Sequence, residues 1–488
     1  MIQHISRATL NSVKNGTRNV FSLFDIGTRP QCCGAGLHAA QSRWTSSHRQ
    51  QPEELIIMGK KYKTDLQTNV TPGILSLVGR NLYKDPNHPV GILRKIVEDQ
   101  FEEPEYTKFD DFEPVVSTYE NFDVLGFPKD HPGRSVHDSY YINNNYLLRT
   151  HTSAHEHKCF ERCDSPGYLI AGDVYRRDEI DRTHYPVFHQ MEGARHWDRS
   201  CYRSEQDMLA SMEAEVAQLS KTTQGDVVVK DVGHDPVKNP TQPFMTEQET
   251  DLVAKHLKRT LEKVVASIFN AAKAAAKAAA KAAGSKEEYL NEPLKVRWVE
   301  AYFPWTSPSW EIEVWWKGEW LECLGCGVVR ELVFENSEKK NTIGWAFGLG
   351  LDRLAMLLFD IPDIRLFWTL DPRFKNQFHS GQISLFKPYS RYPGTKRDIS
   401  FWLPRGKDGE TLPLNANDLM EIVRENSGDL AESVKLIDEF VHPKTGRKSQ
   451  CYRVNYQSMD RSLTNDEVNA LHQKSLKELV ERFRIQLR

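Results

Sequence analysis

Apolar and polar residues alternate with two different periods along this chain, and these periods predict its helices and strands. Helical spacing of apolar residues predicts helices at 87–101, 204–219, 249–283 and 351–359. Strand-like runs occupy 140–153, 167–178, 185–197, 294–305, 309–329 and 343–350. Because helices do not regularly separate these strands, we expect a mainly antiparallel sheet with flanking helices, an α+β fold. These elements fall within a predicted first domain at 65–363.

The last hundred residues repeat this pattern on a smaller scale. Strands are expected from "RDISFWLP", "AESVKLIDEFV" and "SQCYRVNYQS", with helices at 417–426 and 464–483. This order predicts a ferredoxin-like βαββαβ domain at 388–488, joined to the first domain through a turn-rich linker at 364–387. Arg391, Lys396 and Arg397 stand near its start. Phosphate contacts and a solvated linker remain equally open interpretations of these three residues.

Alanine and lysine repeat in an AAAK pattern near residues 270–286. Such a repeat has high intrinsic helicity but little apolar surface to bury. We therefore expect an exposed helical insertion without chemistry, which ends at Gly284.

Composition limits the class of protein. The 488 residues include 39% hydrophobic and 27% charged side chains, enough for two or three domains with their own cores. No run approaches the ~18 apolar residues of a membrane helix, so no membrane partner is expected. The net charge of −3 argues against a protein that coats nucleic acid, although it permits a local basic patch.

The first fifty residues differ from the rest. They contain six Lys or Arg residues, ten Ser or Thr residues and a single acid, Asp25. An arginine- and serine-rich, acid-poor segment is typical of a transit peptide. We predict a mitochondrial presequence at 1–52 and a location in the mitochondrial matrix; a disordered tail is the alternative.

Eight cysteines in so long a chain indicate a reducing compartment rather than a disulfide framework. Two spacings resemble half of a zinc site, Cys159-x3-Cys163 and Cys323-x2-Cys326. Neither has a second matching pair, so we interpret them as buried thiols and predict no protein-bound metal site.

The stretch "LLRTHTSAHEHKCF" concentrates polar groups at 151–157. A metal site, recognition of a small zwitterion and structural capping are all possible, and Thr152 and Ser153 favour recognition. A second stretch, "GDVYRRDEIDRTHYPVFHQMEG", predicts an antiparallel hairpin with Arg176 at its turn. Arginine binds phosphate through two parallel hydrogen bonds, and Phe188 offers a face to a base.

Two further stretches add aromatic and cationic groups. "YFPWTSPSW" places Phe303 and Trp305 around a proline, either as core residues or as a pocket wall. Glu322 lies in an otherwise apolar strand, where a carboxylate needs a partner. "GWAFGLGLDRLAM" resembles a dinucleotide-binding loop, but Arg353 replaces its last glycine. The antiparallel surroundings disfavour that interpretation and favour a polyphosphate site at the start of a helix.

Together these stretches resemble the class II aminoacyl-tRNA synthetases. "VYRRDEIDRTHYPVFHQMEG" is similar to their motif 2 and "FGLGLDRLAM" to their motif 3, whereas motif 1 is degenerate. The order of "LLRTHTSAH", "GDVYRRD", "YFPW", "LGCGVV" and "WAFGLGLDRLAM" resembles the phenylalanyl-tRNA synthetases over residues 65–488. The C-terminal domain resembles the anticodon-binding domain of their single-chain form.

The resemblance implies ATP and Mg²⁺ as cofactors, and L-phenylalanine and mitochondrial tRNA-Phe as substrates of a monomeric ligase. Arg176 and Arg353 would be catalytic and would grip the α- and γ-phosphates of ATP. The remaining implied ATP contacts are Thr183, His184, Tyr185, Phe188 and Gly348. The implied amino-acid contacts are His151, Ser153, Ala154, His155, Glu156, Gln190, Met191, Glu192, Phe303, Trp305, Glu322, Ala346 and Phe347.

Two departures from the family pattern concern this pocket. The family commonly has Gln at the position of Glu156 and Phe at the position of Trp305. Two other functions are considered: a non-catalytic relative that binds tRNA or an amino acid, and a ligase for another amino acid. The presence of both Arg176 and Arg353 argues against the first, and the two aromatic residues argue against the second.

Overall fold

The computed structural model describes residues 52–222, 227–285, 288–388, 392–406 and 409–488. The predicted presequence therefore lies outside the described residues, apart from Pro52, and so does Arg391. None of the helices in the described ranges is both long enough and apolar enough to cross a membrane.

The larger domain contains twelve strands and nine helices within the described ranges. The strands are β1 (Glu54–Ile57), β2 (Lys60–Lys63), β3 (Tyr106–Phe109), β4 (Val115–Ser117), β5 (Tyr146–Leu148), β6 (Gly167–Tyr175), β7 (Val187–Asp198), β8 (Val227–Lys230), β9 (Leu294–Phe303), β10 (Thr306–Trp316), β11 (Glu319–Val329) and β12 (Thr342–Gly350). The helices are α1 (Pro72–Leu75), α2 (Pro89–Glu98), α3 (Thr118–Asn121), α4 (Glu156–Arg162), α5 (Glu205–Thr222), α6 (Glu247–Ala283), α7 (Glu331–Asn336), α8 (Leu351–Leu358) and α9 (Pro372–Lys375).

Eight of these strands form one sheet in the order β3-β6-β7-β12-β11-β10-β9-β8. All neighbours are antiparallel except the edge pairs β3–β6 and β8–β9. Helices α2, α5, α6 and α8 pack together in the main core, on one side of the sheet. The predicted antiparallel α+β architecture is confirmed. The expected long strand at 140–153 is wrong, because only Tyr146–Leu148 is extended there.

Helix α6 begins at a capping box formed by Thr246 and Glu249 and ends at Gly284, as predicted. Gly284 adopts a left-handed conformation with φ +67°, which a side chain would strain. The Ala/Lys part is less exposed than expected, because Ala272 and Ala276 are buried. The small side chains thus let the helix pack on the protein as far as Ala276, whereas the last two turns, 277–283, are half-buried or exposed.

Residues 364–387, expected to be a linker, are a packed part of the larger domain. Their aromatic side chains Phe367, Trp368, Phe374, Phe378 and Phe386 are all buried in the main core. The expectation came from the many turn-forming residues in this segment, but regularly spaced aromatic residues bury it against the sheet domain.

The C-terminal domain has the predicted βαββαβ order. Its elements are β13 (Thr395–Trp402), α10 (Ala416–Ser427), β14 (Ala431–Val441), β15 (Lys448–Tyr456), α11 (Asn465–Phe483) and β16 (Gln486–Leu487). The sheet order is β14-β15-β13-β16, and its inward residues Ile399, Phe401, Tyr452 and Val454 share a core with both helices. Lys396 and Arg397 lie on β13, and Arg397 donates hydrogen bonds to Asn465 and Asn469.

Candidate active site

Strands β6 and β7 form the predicted hairpin, which places Arg176 beside Phe188. Tyr175 pairs with Val187, and the N–H of Arg176 donates to the carbonyl of Pro186 at 3.0 Å. The Arg176 guanidinium lies 5.1 Å from the centre of the Phe188 ring, and its Nε donates to the carbonyl of Thr150 at 2.9 Å. Its Nη2 is buried and has no hydrogen-bond partner among the described residues. The geometry therefore leaves one donor of this arginine for a ligand.

Arg353 reaches the same region from strand β12 and helix α8. Gly350 pairs with Gln190 and caps the helix, and Arg353 stands exposed on the first turn. The preceding residue, Asp352, is buried and accepts a hydrogen bond from the N–H of His189 at 2.6 Å. Since His189 follows Phe188 and Asp352 precedes Arg353, this bond ties the strand that carries Phe188 to the helix turn that carries Arg353.

Two carboxyl groups lie deeper in the site, on the opposite face of the sheet from the helix layer. The Ser153 hydroxyl donates to Glu192 at 2.9 Å. Burial raises the pKa of Glu192 to about 7. Burial and the nearby Glu192 raise the pKa of Glu156 well above its ordinary value, and neither carboxyl oxygen of Glu156 has a partner among the described residues. Such a pair suits a cationic ligand, because an ammonium group would supply the missing partner.

Aromatic rings form the other wall. The Trp305 ring stacks on Phe127 at 5.4 Å and on His151 at 5.8 Å between ring centres, and Phe303 lies 6.1 Å away. Burial and the nearby Arg176 charge lower the pKa of His151 to about 3. The imidazole is therefore neutral at physiological pH and belongs to an uncharged aromatic surface.

A second histidine, His155, is kept neutral by burial and by the positive charge of Arg149. Arg149 is 1% exposed, and its Nη2 donates to Asp173 at 2.6 Å. Its Nη1 donates to Nε2 of His155 at 3.0 Å, and burial followed by the charge of Arg149 lowers the pKa of His155 well below its ordinary value. His155 therefore stacks on Phe112 as a neutral ring.

One cavity joins the carboxyl groups to the aromatic wall. The predicted residues that line it are Ser153, Glu156, Glu192, Phe303, Trp305, Ala346, Phe347 and Gly348. Thr306, Gly325 and Cys326 also line it and were not predicted. Their sequence signal was weak, because each contributes only a small side chain or none.

Other predicted contacts lie elsewhere. Met191 packs in the main core, since it alternates with Gln190 and Glu192 along β7. The ring of Phe347 also packs there, 5.7 Å from Phe101, although the residue borders the cavity. Ala154 is buried in the second apolar cluster. Gln190 accepts a hydrogen bond from the N–H of Thr152, which ties β7 to the segment that carries Ser153.

Glu322 is buried on β11 but does not line the cavity. Glu322 and Arg353 have opposite effects on the Cys323 thiol: the carboxylate raises its pKa and the guanidinium lowers it. Burial and this carboxylate raise the pKa of Cys323, and burial also raises that of Cys326. Cys159, Cys163, Cys323 and Cys326 are buried free thiols. The described residues contain no group of three His, Cys, Asp or Glu arranged to hold a metal ion.

Thr183, His184 and Tyr185 lie in the loop between β6 and β7, away from the cavity. Burial opposes charge on His184, but its hydrogen bond to Asp181 and the neighbouring carboxylates raise its pKa to about 9. Tyr185 stacks on Trp368 at 5.2 Å and donates to Asp429 of the C-terminal domain at 2.8 Å. The Tyr185 side chain thus contacts the C-terminal domain, and its nucleotide contact stays a prediction.

The C-terminal domain covers this loop. The N–H of Val434 donates to the carbonyl of Ile180 at 2.9 Å, so the loop adds a backbone bond to β14. Arg424 of α10 donates to the carbonyl of Asp178 at 2.7 Å, and Arg182 pairs with Glu432. Ile180 is part of the C-terminal core. The loop and the C-terminal domain thus form a continuous packed contact.

Family models match most of the described chain. The model for the class II core domain (F) of tRNA synthetases matches residues 75–217 and 282–378, and the model for the ferredoxin-fold anticodon-binding domain matches 390–488. The core model leaves out residues 218–281, which contain most of α6. The two matched regions correspond to the larger and the C-terminal domain.

Curated relatives match across both domains. The chain is 53% identical to the mitochondrial phenylalanine–tRNA ligase of Saccharomyces cerevisiae, over 88% of this chain and 94% of the relative. It is 41% identical to the mitochondrial ligase of Mus musculus, over 86% and 85%, and 39% identical to the chloroplastic/mitochondrial ligase of Arabidopsis thaliana, over 87% and 83%. The chain therefore belongs to the phenylalanine–tRNA ligase family of class II aminoacyl-tRNA synthetases.

Proposed function

We propose that this chain attaches L-phenylalanine to tRNA-Phe in mitochondria and uses ATP to activate the amino acid. The observation that carries the proposal is the single cavity in which an aromatic wall, Phe303 and Trp305, faces the Ser153–Glu192 pair. An aromatic side chain fits the wall, and the ammonium group of the same molecule fits the carboxyl end. Family membership supports the same substrate and a mitochondrial location.

The first step joins phenylalanine to AMP. The carboxylate oxygen attacks the α-phosphorus of ATP, the bond to the bridging oxygen breaks, and pyrophosphate leaves. Arg176 would neutralise the charge that develops on the α-phosphate; its buried Nη2, which has no partner among the described residues, supports this role. Arg353 would bind the outer phosphates, and its exposure at the start of α8 supports that role. Phe188 offers the face not covered by Arg176 to the adenine.

The second step transfers the acyl group. A ribose hydroxyl of the terminal tRNA nucleotide attacks the carbonyl carbon of the adenylate, and AMP leaves with the bonding electrons. Neither step requires a protein nucleophile, because both are displacements on an activated centre. The residues would hold the reactants in line, and the stacked rings of His151 and Trp305 add an uncharged wall to the site.

Magnesium fits this site without a dedicated cage of protein ligands. The ion is commonly bound through one or two carboxylates together with substrate phosphates. Glu322 is a buried carboxylate on β11, the strand that also carries the cavity residues Gly325 and Cys326, and would hold the ion from the protein side. When bound, the ion would neutralise phosphate charge. We further propose that the enzyme acts as a monomer. We place it in the mitochondrial matrix, and the presequence-like composition of residues 1–52 supports this location.

Phenylalanine-dependent exchange of pyrophosphate into ATP tests this function, because it measures the first step alone. We expect exchange in the wild type and a loss of roughly 100-fold or more in Arg353→Ala, since a charge contact to the leaving phosphates disappears. Arg203→Ala is the matched control, because Arg203 is exposed and paired only with Asp207. Equal activity of Arg353→Ala and the control would contradict the proposed role.

A further inference from the structure

Glu156 is a buried carboxyl group that borders the amino-acid cavity and has no partner within the described part of the protein. It begins α4, directly after the short turn Thr152–His155, and is 2% exposed. Neither of its carboxyl oxygens forms a hydrogen bond with a described residue. A buried carboxylate in this state is costly, so a proton, a cation or a ligand must compensate it.

No cation of the described residues takes that role. The residues that line the cavity include two carboxyl groups, Glu156 and Glu192, but no lysine, arginine or histidine. The charged groups on α4 and on the elements packed against it are paired elsewhere or exposed: Lys158 pairs with Glu120, Arg162 with Asp111 and Asp173 with Arg149, while Glu161, Glu331 and Glu335 are exposed. Burial lowers the pKa of His157 and raises those of Cys159 and Tyr168, so these three groups are neutral at physiological pH.

The two carboxyl groups of the cavity differ in what stabilises their charge. Burial raises the pKa of Glu192 only to about 7, because the Ser153 hydroxyl donates to it at 2.9 Å and the charge of Arg176 also acts against the effect of burial. Burial and the charge of Glu192 both raise the pKa of Glu156, and no described group lowers it. Two like charges in one buried cavity disfavour each other, so the shared proton resides on Glu156.

Another buried carboxyl group shows the opposite state. Asp173 is 3% exposed, but Arg149 donates to it at 2.6 Å and the Tyr175 hydroxyl donates to it as well. Burial opposes ionisation there too, yet Arg149 and Tyr175 hold the pKa of Asp173 below its ordinary value. Burial alone therefore does not decide the protonation state of Glu156; the missing cation and the missing donors decide it.

The hydroxyl groups that line the cavity are already used within the protein. Ser153 donates to Glu192. The Thr306 hydroxyl lies 2.7 Å from that of Ser309, and because Ser309 donates to the carbonyl of Thr306, the Thr306 hydroxyl is the donor toward Ser309. An amino acid brings an ammonium group, which suits the ionised Glu192, and a carboxylate, which needs a donor. A protonated Glu156 supplies a donor that these hydroxyl groups do not.

We propose that Glu156 keeps its proton in the working site and donates a hydrogen bond to the carboxylate of the bound phenylalanine. The other carboxylate oxygen stays free to attack the α-phosphate, so Glu156 orients the reacting group. The proton remains on Glu156 throughout, and the cavity then carries one negative charge against one ammonium group. This inference rests on the proposed function, which supplies phenylalanine as the ligand.

Infrared difference spectroscopy tests the proton. The wild-type spectrum minus that of Glu156→Gln should show the C=O stretch of a protonated carboxylic acid, with and without bound phenylalanine, and the band should shift in deuterium oxide. Glu161→Gln, which changes an exposed glutamate of the same helix, is the matched control and should keep the band. The band should fade as the pH rises, because a group with a raised pKa is protonated below that pKa and ionised above it. A wild type without the band at neutral pH, or one that loses it when phenylalanine binds, would overturn the inference.

Two ligands test the contact: phenylalanine and 2-phenylethylamine, which has the same ring and ammonium group but no carboxylate. We expect Glu156→Ala to raise the Kd of phenylalanine by roughly 10- to 150-fold, the range for a hydrogen bond to a charged group, and to change that of phenylethylamine little. Glu156→Gln, whose amide can donate, should lose much less phenylalanine affinity than Glu156→Ala. Glu161→Gln should affect neither ligand.

An equal loss for both ligands in Glu156→Ala would overturn the contact, because the side chain would then act on the ammonium group or on the fold. If Glu156→Ala does not fold, Glu156→Gln alone decides. A large loss of phenylethylamine affinity in that variant would show that Glu156 is ionised and would overturn the inference, whereas a retained affinity for both ligands supports it. Wild-type protein that binds neither ligand would refute the proposed function, and the infrared band would still test the proton.

Discussion

The carboxylate of Asp352 accepts a hydrogen bond from the backbone N–H of His189 at 2.6 Å and lies 3.0 Å from Nδ1 of the same residue. Both residues are buried, on α8 and β7 respectively. His189 directly follows Phe188 in the sequence, and Asp352 directly precedes Arg353. Phe188 and Arg353 are both proposed to contact ATP. A buried contact thus ties together the two segments that carry these proposed ATP contacts.

Loss of the Asp352–His189 contact should impair the use of ATP more than that of phenylalanine. Asp352→Ala leaves a buried N–H unpaired, which costs about 1–3 kcal/mol, and releases Arg353 from its position. We expect the KM for ATP in pyrophosphate exchange to rise and kcat to fall by roughly 10- to 100-fold. Asp360→Asn, at the other end of α8, is the control. A larger effect on the KM for phenylalanine would contradict this positioning role.

Phenylalanine binding should weaken as the pH falls. Burial raises the pKa of Glu192 to about 7, and only its ionised form attracts the ammonium group. The carboxylate is present above pH 7 and is lost progressively below it, so affinity should fall by up to about tenfold per pH unit below 7. The KM for phenylalanine, measured from pH 6 to 8.5, tests this, with the KM for ATP as reference. In Glu192→Gln this dependence should disappear; its persistence would exclude Glu192 as the titrating group.

Arg176→Lys should lower the rate of adenylate formation while leaving the fold intact. Lysine cannot reproduce both the hydrogen bond to Thr150 and the donor that faces the cavity. We expect kcat for pyrophosphate exchange to fall by roughly 100- to 1000-fold. The neighbouring Arg177, which pairs with Asp418 of the C-terminal domain, provides the control as Arg177→Lys. Because both substitutions keep the positive charge, comparable losses in the two variants would point to a disturbed hairpin turn and would contradict a specific role of the Arg176 donor.

Arg424→Ala should weaken the contact between the C-terminal domain and the loop after Arg176. The change removes the bond to Asp178 and leaves the buried Glu421 with only Tyr140 and the more distant Arg177, which costs about 1–3 kcal/mol. Chemical denaturation should show a lower midpoint, and protease cleavage near residues 388–395 should accelerate. Lys477→Ala, which breaks the exposed pair with Glu481, should cost below about 1 kcal/mol. Identical midpoints for the two variants would argue against a role of Arg424 in docking.

Helices, strands and hairpins were predicted well from the sequence, because the apolar spacing and the caps that mark each of them lie within or next to the element itself. The ends of α6, the β6–β7 hairpin and all elements of the C-terminal domain follow from spacing, caps and alternation. Most of the aromatic and carboxyl residues of the cavity were also anticipated, because they carry unusual chemistry for their strands. Alternation along β7, applied strictly, also excludes Met191 from the cavity.

Contacts between distant segments were not predictable in this way. Nothing in the sequence near Tyr185 indicates that its hydroxyl meets Asp429, 244 residues later. The burial of residues 364–387 depends on the shape of the sheet domain beneath them. Asp352 offered one signal, an acid directly before the phosphate-binding arginine, but its partner His189 depends on the register of β12 and β7.

The central claim, that the cavity selects phenylalanine for activation by ATP, is tested most directly by pyrophosphate exchange with each of the twenty standard amino acids. Purified wild-type protein should show the highest kcat/KM with phenylalanine, because the aromatic wall and the Ser153–Glu192 pair match its two ends. Trp305→Ala should reduce that value by roughly tenfold or more, through KM. Exchange with another amino acid and none with phenylalanine would contradict the account.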